Sequence, residues 1–221
     1  MASETVENYI KCIFSLQKRS KKELVSTNAI AEQLNTKASS VTDMMKKLGK
    51  RKLVNYKKYH GVSLTKEGRK VAAQIIRRHR LWEVFLVDRL KYGWDEVHEL
   101  AEQLEHIDSE DLTNRIDAYL GYPKYDPHGD PIPNEDGEIR DDRDSLPLSS
   151  LSIGEDAVVV GVLNSSAEYL QYVDELQLHL GQELEVVKKV EFDQSMVIAI
   201  KGGEQAVSHE FVKQLLVKKK Q

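Results

Sequence analysis

Six side chains in the middle of this 221-residue sequence have the types and spacing to hold a divalent metal ion: His79 and Glu83, then His98, Glu102, Glu105 and His106. His79 and Glu83 are four apart, which puts them on one face of a helix. Counted from His98 at about 100° per residue, Glu102, Glu105 and His106 fall near 40°, −20° and 80°, a stripe about 100° wide. Imidazole nitrogen and carboxylate oxygen without thiolate suit Mn2+, Fe2+, Co2+ or Zn2+. Each of the six taken alone reads more simply as a solvated carboxylate or a satisfied core histidine. Their combined spacing favours a ligand set. Cys12 is the only cysteine, which excludes an intramolecular disulfide and a cysteine-rich zinc module. Histidine–glutamate clusters also build hydrolytic centres, but those need an open coordination position and a placed acid or base. Neither is legible here, so the expectation is a non-enzyme without a small-molecule substrate.

Such donors need helices to carry them. Residues 66–90 form one long helical pattern that holds His79 and Glu83, and WDEVHELAEQLEHI supplies a second for the other four. Upstream, residues 4–18 place Val6, Tyr9, Ile10, Ile13, Phe14 and Leu16 at helical spacing. Residues 28–34 read as a short helix that Ser26 or Thr27 can cap. Residues 39–48 open on hydroxyls suited to capping and bury Val41, Met44, Met45 and Leu48 at i, i+3, i+4, i+7. LVNYKKYHGVSLT alternates enough for two strands with a turn near His60-Gly61. Helix, helix, turn, helix, hairpin is the order of a winged helix-turn-helix. Its third helix presents Lys37, Ser39, Ser40, Thr42, Asp43, Lys46 and Lys47, groups suited to base edges and phosphates in a major groove. Lys57 and Lys58 stand on the wing, within reach of flanking phosphates.

Charge agrees with that assignment. Residues 1–70 hold 16 Lys and Arg against 6 Asp and Glu, or +10, whereas the remainder holds 16 against 30, or −14. A basic head before an acidic body points to a polyanionic partner, double-stranded DNA. All five prolines lie between residues 123 and 147, in an acidic stretch that cannot continue a helix and reads as a tether. Beyond it, VVVGVL, QELEVVKKVEF and SMVIAIKGG read as strands, with a helical pattern from Ser166 to Val173. With 31% charged and 40% hydrophobic residues the chain has globular composition. It lacks any apolar run of about 18 residues and any basic-then-apolar leader. A cytoplasmic protein without membrane partners is expected.

The same residues resemble a known family, the metal-dependent transcriptional repressors of the diphtheria-toxin-repressor and manganese-repressor type. The matching stretches are Glu7-Asn8-Tyr9-Ile10, Ser39-Ser40-Val41-Thr42, Gly61-Val62-Ser63-Leu64-Thr65, Arg78-His79-Arg80-Leu81-Trp82-Glu83, residues 97–106, and Pro127-His128-Gly129-Asp130-Pro131-Ile132-Pro133. The resemblance spans essentially the whole chain. It implies a mainly α fold with small β parts. A winged helix-turn-helix domain would occupy 1–70, a helical metal-binding and dimerisation domain 71–140, a linker 141–150, and an SH3-like (FeoA-type) β-barrel 151–221.

The resemblance also implies two metal sites per subunit. One would use His79, Glu83 and His98, completed by Glu168 from the C-terminal domain. The other would use Glu102, Glu105 and His106 with Asn8 of the first helix. Iron-type members carry cysteine where this chain has Glu102, and manganese-type members carry a carboxylate, so Mn2+ is the expected ion and Fe2+ the alternative. Two departures stand against the family pattern. Asn8 replaces a typical aspartate, and Lys11 stands where some small manganese repressors have a ligating glutamate. The implied function is repression of metal-homeostasis genes by a metal-activated homodimer on a palindromic operator. Trp82, Phe85, Leu86 and Trp94 would form the dimer face. A winged-helix regulator with a purely structural metal is the lesser alternative.

Overall fold

The computed structural model describes residues 3–20 and 22–220, which form two compact units. The first comprises Met1–Trp82, Ala101–Tyr122 and Ile132–Arg140, and the second Glu83–Leu100, Pro123–Pro131 and Asp141–Gln221.

In the first unit, α1 (Glu4–Ser20) buries Val6, Tyr9, Ile10, Ile13 and Leu16 along one stripe. The short α2 (Thr27–Gln33) begins where the Ser26 hydroxyl accepts a hydrogen bond from the Ala29 N–H at 3.1 Å. α3 (Ala38–Lys50) buries Val41, Met45 and Leu48 against the same core. Its N-cap is Lys37, without a side-chain bond. Ser39 and Ser40 thus lie inside the first turn instead of capping it, because the helix starts one residue earlier than their hydroxyls suggest. The hairpin pairs β1 (Val54–Lys57) with β2 (Gly61–Leu64) in the antiparallel register Val54↔Leu64 to Lys57↔Gly61. Tyr59 makes the turn with φ 68°. α4 (Lys66–Leu90) starts hard against this hairpin: a Cβ on Gly68 would stand 2.0 Å from the Leu53 carbonyl oxygen. α5 (Val97–Leu104) and α6 (Glu110–Tyr119) follow, α6 capped by the Ser109 hydroxyl.

The second unit is built on a six-stranded antiparallel sheet. Its strands are β3 (Leu146–Pro147), β4 (Asp156–Val162), β5 (Glu183–Lys189), β6 (Met196–Ile200), β7 (Gly203–Val207) and β8 (Leu215–Lys219), in the spatial order β3-β8-β4-β5-β6-β7. Two helices, α7 (Ala167–Glu175) and α8 (His209–Gln214), close its core with Leu170, Val173, Phe211 and Val212. The expected SH3-like β-barrel is therefore an open sheet. Among the described residues no pairing joins β7 to β3, and closure would require one. One edge strand is two residues long, and the other exposes four of its five residues. Leu146-Pro147, inside the expected linker, pairs with β8.

Candidate metal centre and nucleic-acid face

In the second unit three buried groups converge: Glu83 from α4, and Asp126 and His128 from the proline-rich stretch, each with a ligand atom within 4.8 Å of the others'. The stretch that reads as a tether is folded here. Both the His128 and Asp130 N–H groups donate to Asp126 Oδ1 at 2.9 Å, a side-chain-closed turn. Gly129 holds φ +86° at its apex, and a Cβ there would stand 2.3 Å from the Val160 carbonyl oxygen. That turn aims His128 Nδ1 at Glu83 Oε2, 3.7 Å away, while Nε2 donates to the Trp94 carbonyl at 2.8 Å. The Trp94 ring lies parallel to the imidazole at 6.0 Å. On the other oxygen, Glu83 Oε1 is 3.5 Å from Nδ1 of the half-exposed His98.

This is the arrangement of a metal-ligating imidazole: one ring N–H given to a backbone carbonyl, which fixes the tautomer, and the other nitrogen turned to a carboxylate. Burial alone would lower the His128 pKa, but the Glu83 bond and charge, the Asp126 charge and the Trp94 carbonyl outweigh it and raise the value to about 9. Two buried carboxylates facing imidazoles form a site that favours positive charge, and its donors fit a hard divalent ion.

In the first unit Glu105, fully buried, accepts from His79 Nδ1 on Oε2 at 2.7 Å and from Lys11 Nζ on Oε1 at 2.6 Å. Lys11 Nζ also donates to Glu102 Oε1 at 2.6 Å. Burial would raise the Glu105 pKa, but His79 and Lys11 together hold it low. Glu105 and His106 lie beyond the end of α5 at Leu104, so the expected four-residue stripe is broken. His106 Nδ1 instead meets Glu7 Oε2 at 2.7 Å. Glu7 also accepts from Arg78, whose Nε reaches the Glu105 carbonyl. Asn8 Oδ1 is buried without a hydrogen-bond partner. Of the expected second set, then, Glu102 and Glu105 meet each other and Lys11, and His106 turns to α1.

Glu168 is exposed in the first turn of α7 and belongs to none of the donor clusters among the described residues. Its position suits a carboxylate at a helix start. Asp126 and His128 are the donors the spacing argument missed. The only signal for them was the Asp-Pro-His-Gly-Asp-Pro run itself, because the turn that aims them has no periodicity. Of the four apolar groups expected at a dimer face, Leu86 is buried in this chain. Trp94 packs on the second unit's core and donates from Nε1 to Asp174 at 2.9 Å. Trp82 and Phe85 are half-buried.

On α3 and its N-cap the side chains of Lys37, Ser39, Ser40, Asp43, Lys46 and Lys47 are exposed, and Val41, Met45 and Leu48 are buried. Thr42 is half-buried and its hydroxyl returns to the Ala38 carbonyl at 3.0 Å. Lys46 pairs with Asp43 at 3.0 Å on the surface. Lys57 and Lys58 are exposed at the hairpin turn, with Lys58 Nζ 4.8 Å from the Tyr59 ring centre.

Three family models match in succession. Residues 1–62 match the iron-dependent repressor N-terminal DNA-binding domain, 65–134 the iron-dependent repressor metal-binding and dimerisation domain, and 146–219 the FeoA domain. The iron-dependent repressor IdeR of Mycobacterium tuberculosis is 32% identical over 165 residues, 71% of this chain and 70% of that one. The transcriptional regulator MntR of Oceanobacillus iheyensis is 34% identical over 57% of this chain and 84% of its own. Among solved structures, a manganese-dependent transcriptional repressor in complex with manganese superposes with a TM-score of 0.84 at 34% identity, over 97% of this chain and all (100%) of that one. The manganese regulator SloR superposes with a TM-score of 0.75 at 33% identity, over 97% of this chain and 98% of its own.

Proposed function

This chain belongs to the iron-dependent repressor family, and from that premise we propose that it is a Mn2+-responsive repressor that binds a palindromic operator as a homodimer. Residues 1–70 form the DNA-binding head, 71–140 the metal-binding and dimerisation part, and 151–221 the FeoA-type part. The observation that carries the metal reading is the convergence of buried Glu83, Asp126 and His128. We assign the ion to these three with His98. The set contains only nitrogen and oxygen, so a hard ion is favoured and Fe2+ is the alternative.

Held there, an ion would supply the positive charge that the buried Glu83 and Asp126 carboxylates favour. The protein's residues do the rest. Glu83 belongs to α4 and His98 to the first turn of α5, while Asp126 and His128 belong to the 126–130 turn. The residues that would hold the ion therefore come from three separated chain segments. α3 enters a major groove with its exposed lysines and hydroxyls, and two heads about 34 Å apart match successive half-sites. Metal shifts this equilibrium by its differential affinity for the DNA-competent arrangement, and DNA must tighten metal reciprocally. Acting on DNA, such a regulator works in the cytoplasm and needs no catalysis.

The test is fluorescence anisotropy on a selected DNA pool, in chelator and then with Mn2+ or anaerobic Fe2+. Binding should appear with metal, at lower Mn2+ than Fe2+, and His128→Ala should shift half-saturation at least tenfold upward. Operator binding indifferent to both chelator and His128→Ala would refute the sensor reading.

A further inference from the structure

The first unit presents three donors that could take a second ion, His79, Glu102 and Glu105, with ligand atoms within 4.8 Å of one another. Their centre already holds a cation of the protein's own. Lys11 Nζ bridges Glu102 Oε1 and Glu105 Oε1 at 2.6 Å each, the short separation of charge-assisted bonds. The Lys11 side chain is 17% exposed, that of Glu105 0% and that of Glu102 37%, so the ammonium is partly buried, on the Glu105 side of the pair. A divalent ion would need the same two oxygens. Ammonium and dication cannot share them at that distance in a partly buried place, where like charges repel with little screening.

We propose that Lys11 is a tethered cation that occupies the Glu102–Glu105 carboxylate pair, so that this locus takes no metal and α1 is fastened to the chain after α5 without one. Two further links serve the same attachment. Arg78 joins Glu7 to the Glu105 carbonyl, and His106 joins Glu7 through Nδ1. Glu7, like Lys11, is on α1. The remaining oxygen of Glu105 is held by His79, so both Glu105 oxygens already accept a hydrogen bond from a cation or an imidazole. Asn8, the donor expected from α1, offers a neutral oxygen that meets none of these groups.

The count of metals rests on the assignment of the other centre to Glu83, Asp126 and His128, so the test separates the two. Full-length protein is dialysed against saturating Mn2+ and the metal per subunit measured. One equivalent is expected for the natural sequence and for Lys11→Arg, which keeps the charge. Lys11→Met, which keeps the stem and removes the charge, should take one more, and adding Glu102→Gln should abolish that gain. Glu102→Gln alone should leave the count unchanged, which keeps the test decisive where Lys11→Met fails to fold. A natural-sequence protein that takes two equivalents and loses one on Glu102→Gln would overturn the proposal, as would a folded Lys11→Met that gains none. Zero equivalents in the natural sequence with one gained in Lys11→Met would remove the other centre and leave Lys11 in its role.

Discussion

His128 shows how one ring can be made into a ligand before any ion arrives. Its Nε2–H is spent on the Trp94 carbonyl, its other nitrogen is turned to Glu83, and the Asp126-closed turn holds its backbone. The turn depends on Gly129, whose φ of +86° and close approach to Val160 admit no side chain. Gly129→Ala should therefore cost about 2 kcal/mol or more in chemical denaturation, and weaken Mn2+ binding with it. Equal stability of the two proteins would show that the turn can relax. Cys12 makes the opposite case, a reactive atom put out of use. Burial pushes its thiol up to about 11 against a smaller opposing effect of Arg19. At pH 8 the thiol remains protonated, so the native protein should resist alkylation and react only when denatured. Rapid labelling of the folded chain would contradict its placement in the α1 core.

α3 divides its surface cleanly: Val41, Met45 and Leu48 bury against the head's core, and the lysines and serines face out. The two sides predict different outcomes. Met45→Ala should cost about 2–5 kcal/mol through the cavity it leaves. Lys47→Ala should leave stability alone, weaken DNA binding similarly across sequences, and lower the salt slope by about one. An unchanged slope would place Lys47 away from phosphate. α2 depends on its cap in the same local way, and Ser26→Ala should cost about 1 kcal/mol of stability. α1 differs, because its hold on the segment after α5 comes from ion pairs of Lys11 and Glu7 as well as from packing.

Taken whole, the chain carries a +10 head and a −14 remainder, so that the surface meant for DNA is marked by charge while the rest repels it. Ligand binding to a folded state raises its stability by mass action: at a hundredfold excess over Kd an ion adds about 2.7 kcal/mol. For a chain of this length that corresponds to roughly 5–10 °C in Tm. Mn2+ should raise the calorimetric transition of the unit that contains Glu83, Asp126 and His128 by that amount, and chelator should reverse it. A transition indifferent to Mn2+ would mean that these residues hold no ion.

Periodicity is a local property, and what depends on it was legible in the order of the residues. The long helix over 66–90 coincides with α4, the hairpin near His60-Gly61 is in place, and the strand patterns at 158–163, 182–192 and 195–203 lie over β4, β5 and β6. The donor types, and therefore the chemistry, are equally a matter of composition and spacing. Convergence is not local. Lys11 meets Glu105 across 94 positions and His106 meets Glu7 across 99. No spacing rule reaches that far. Extrapolating one helical stripe through His106 failed because α5 stops at Leu104. Asp126 and His128 escaped because a turn built from an Asp side chain and a positive-φ glycine has no repeat to detect. The open sheet belongs to the same class: strand order and edge pairing are set by contacts between distant segments, which packing selects and local pattern does not encode.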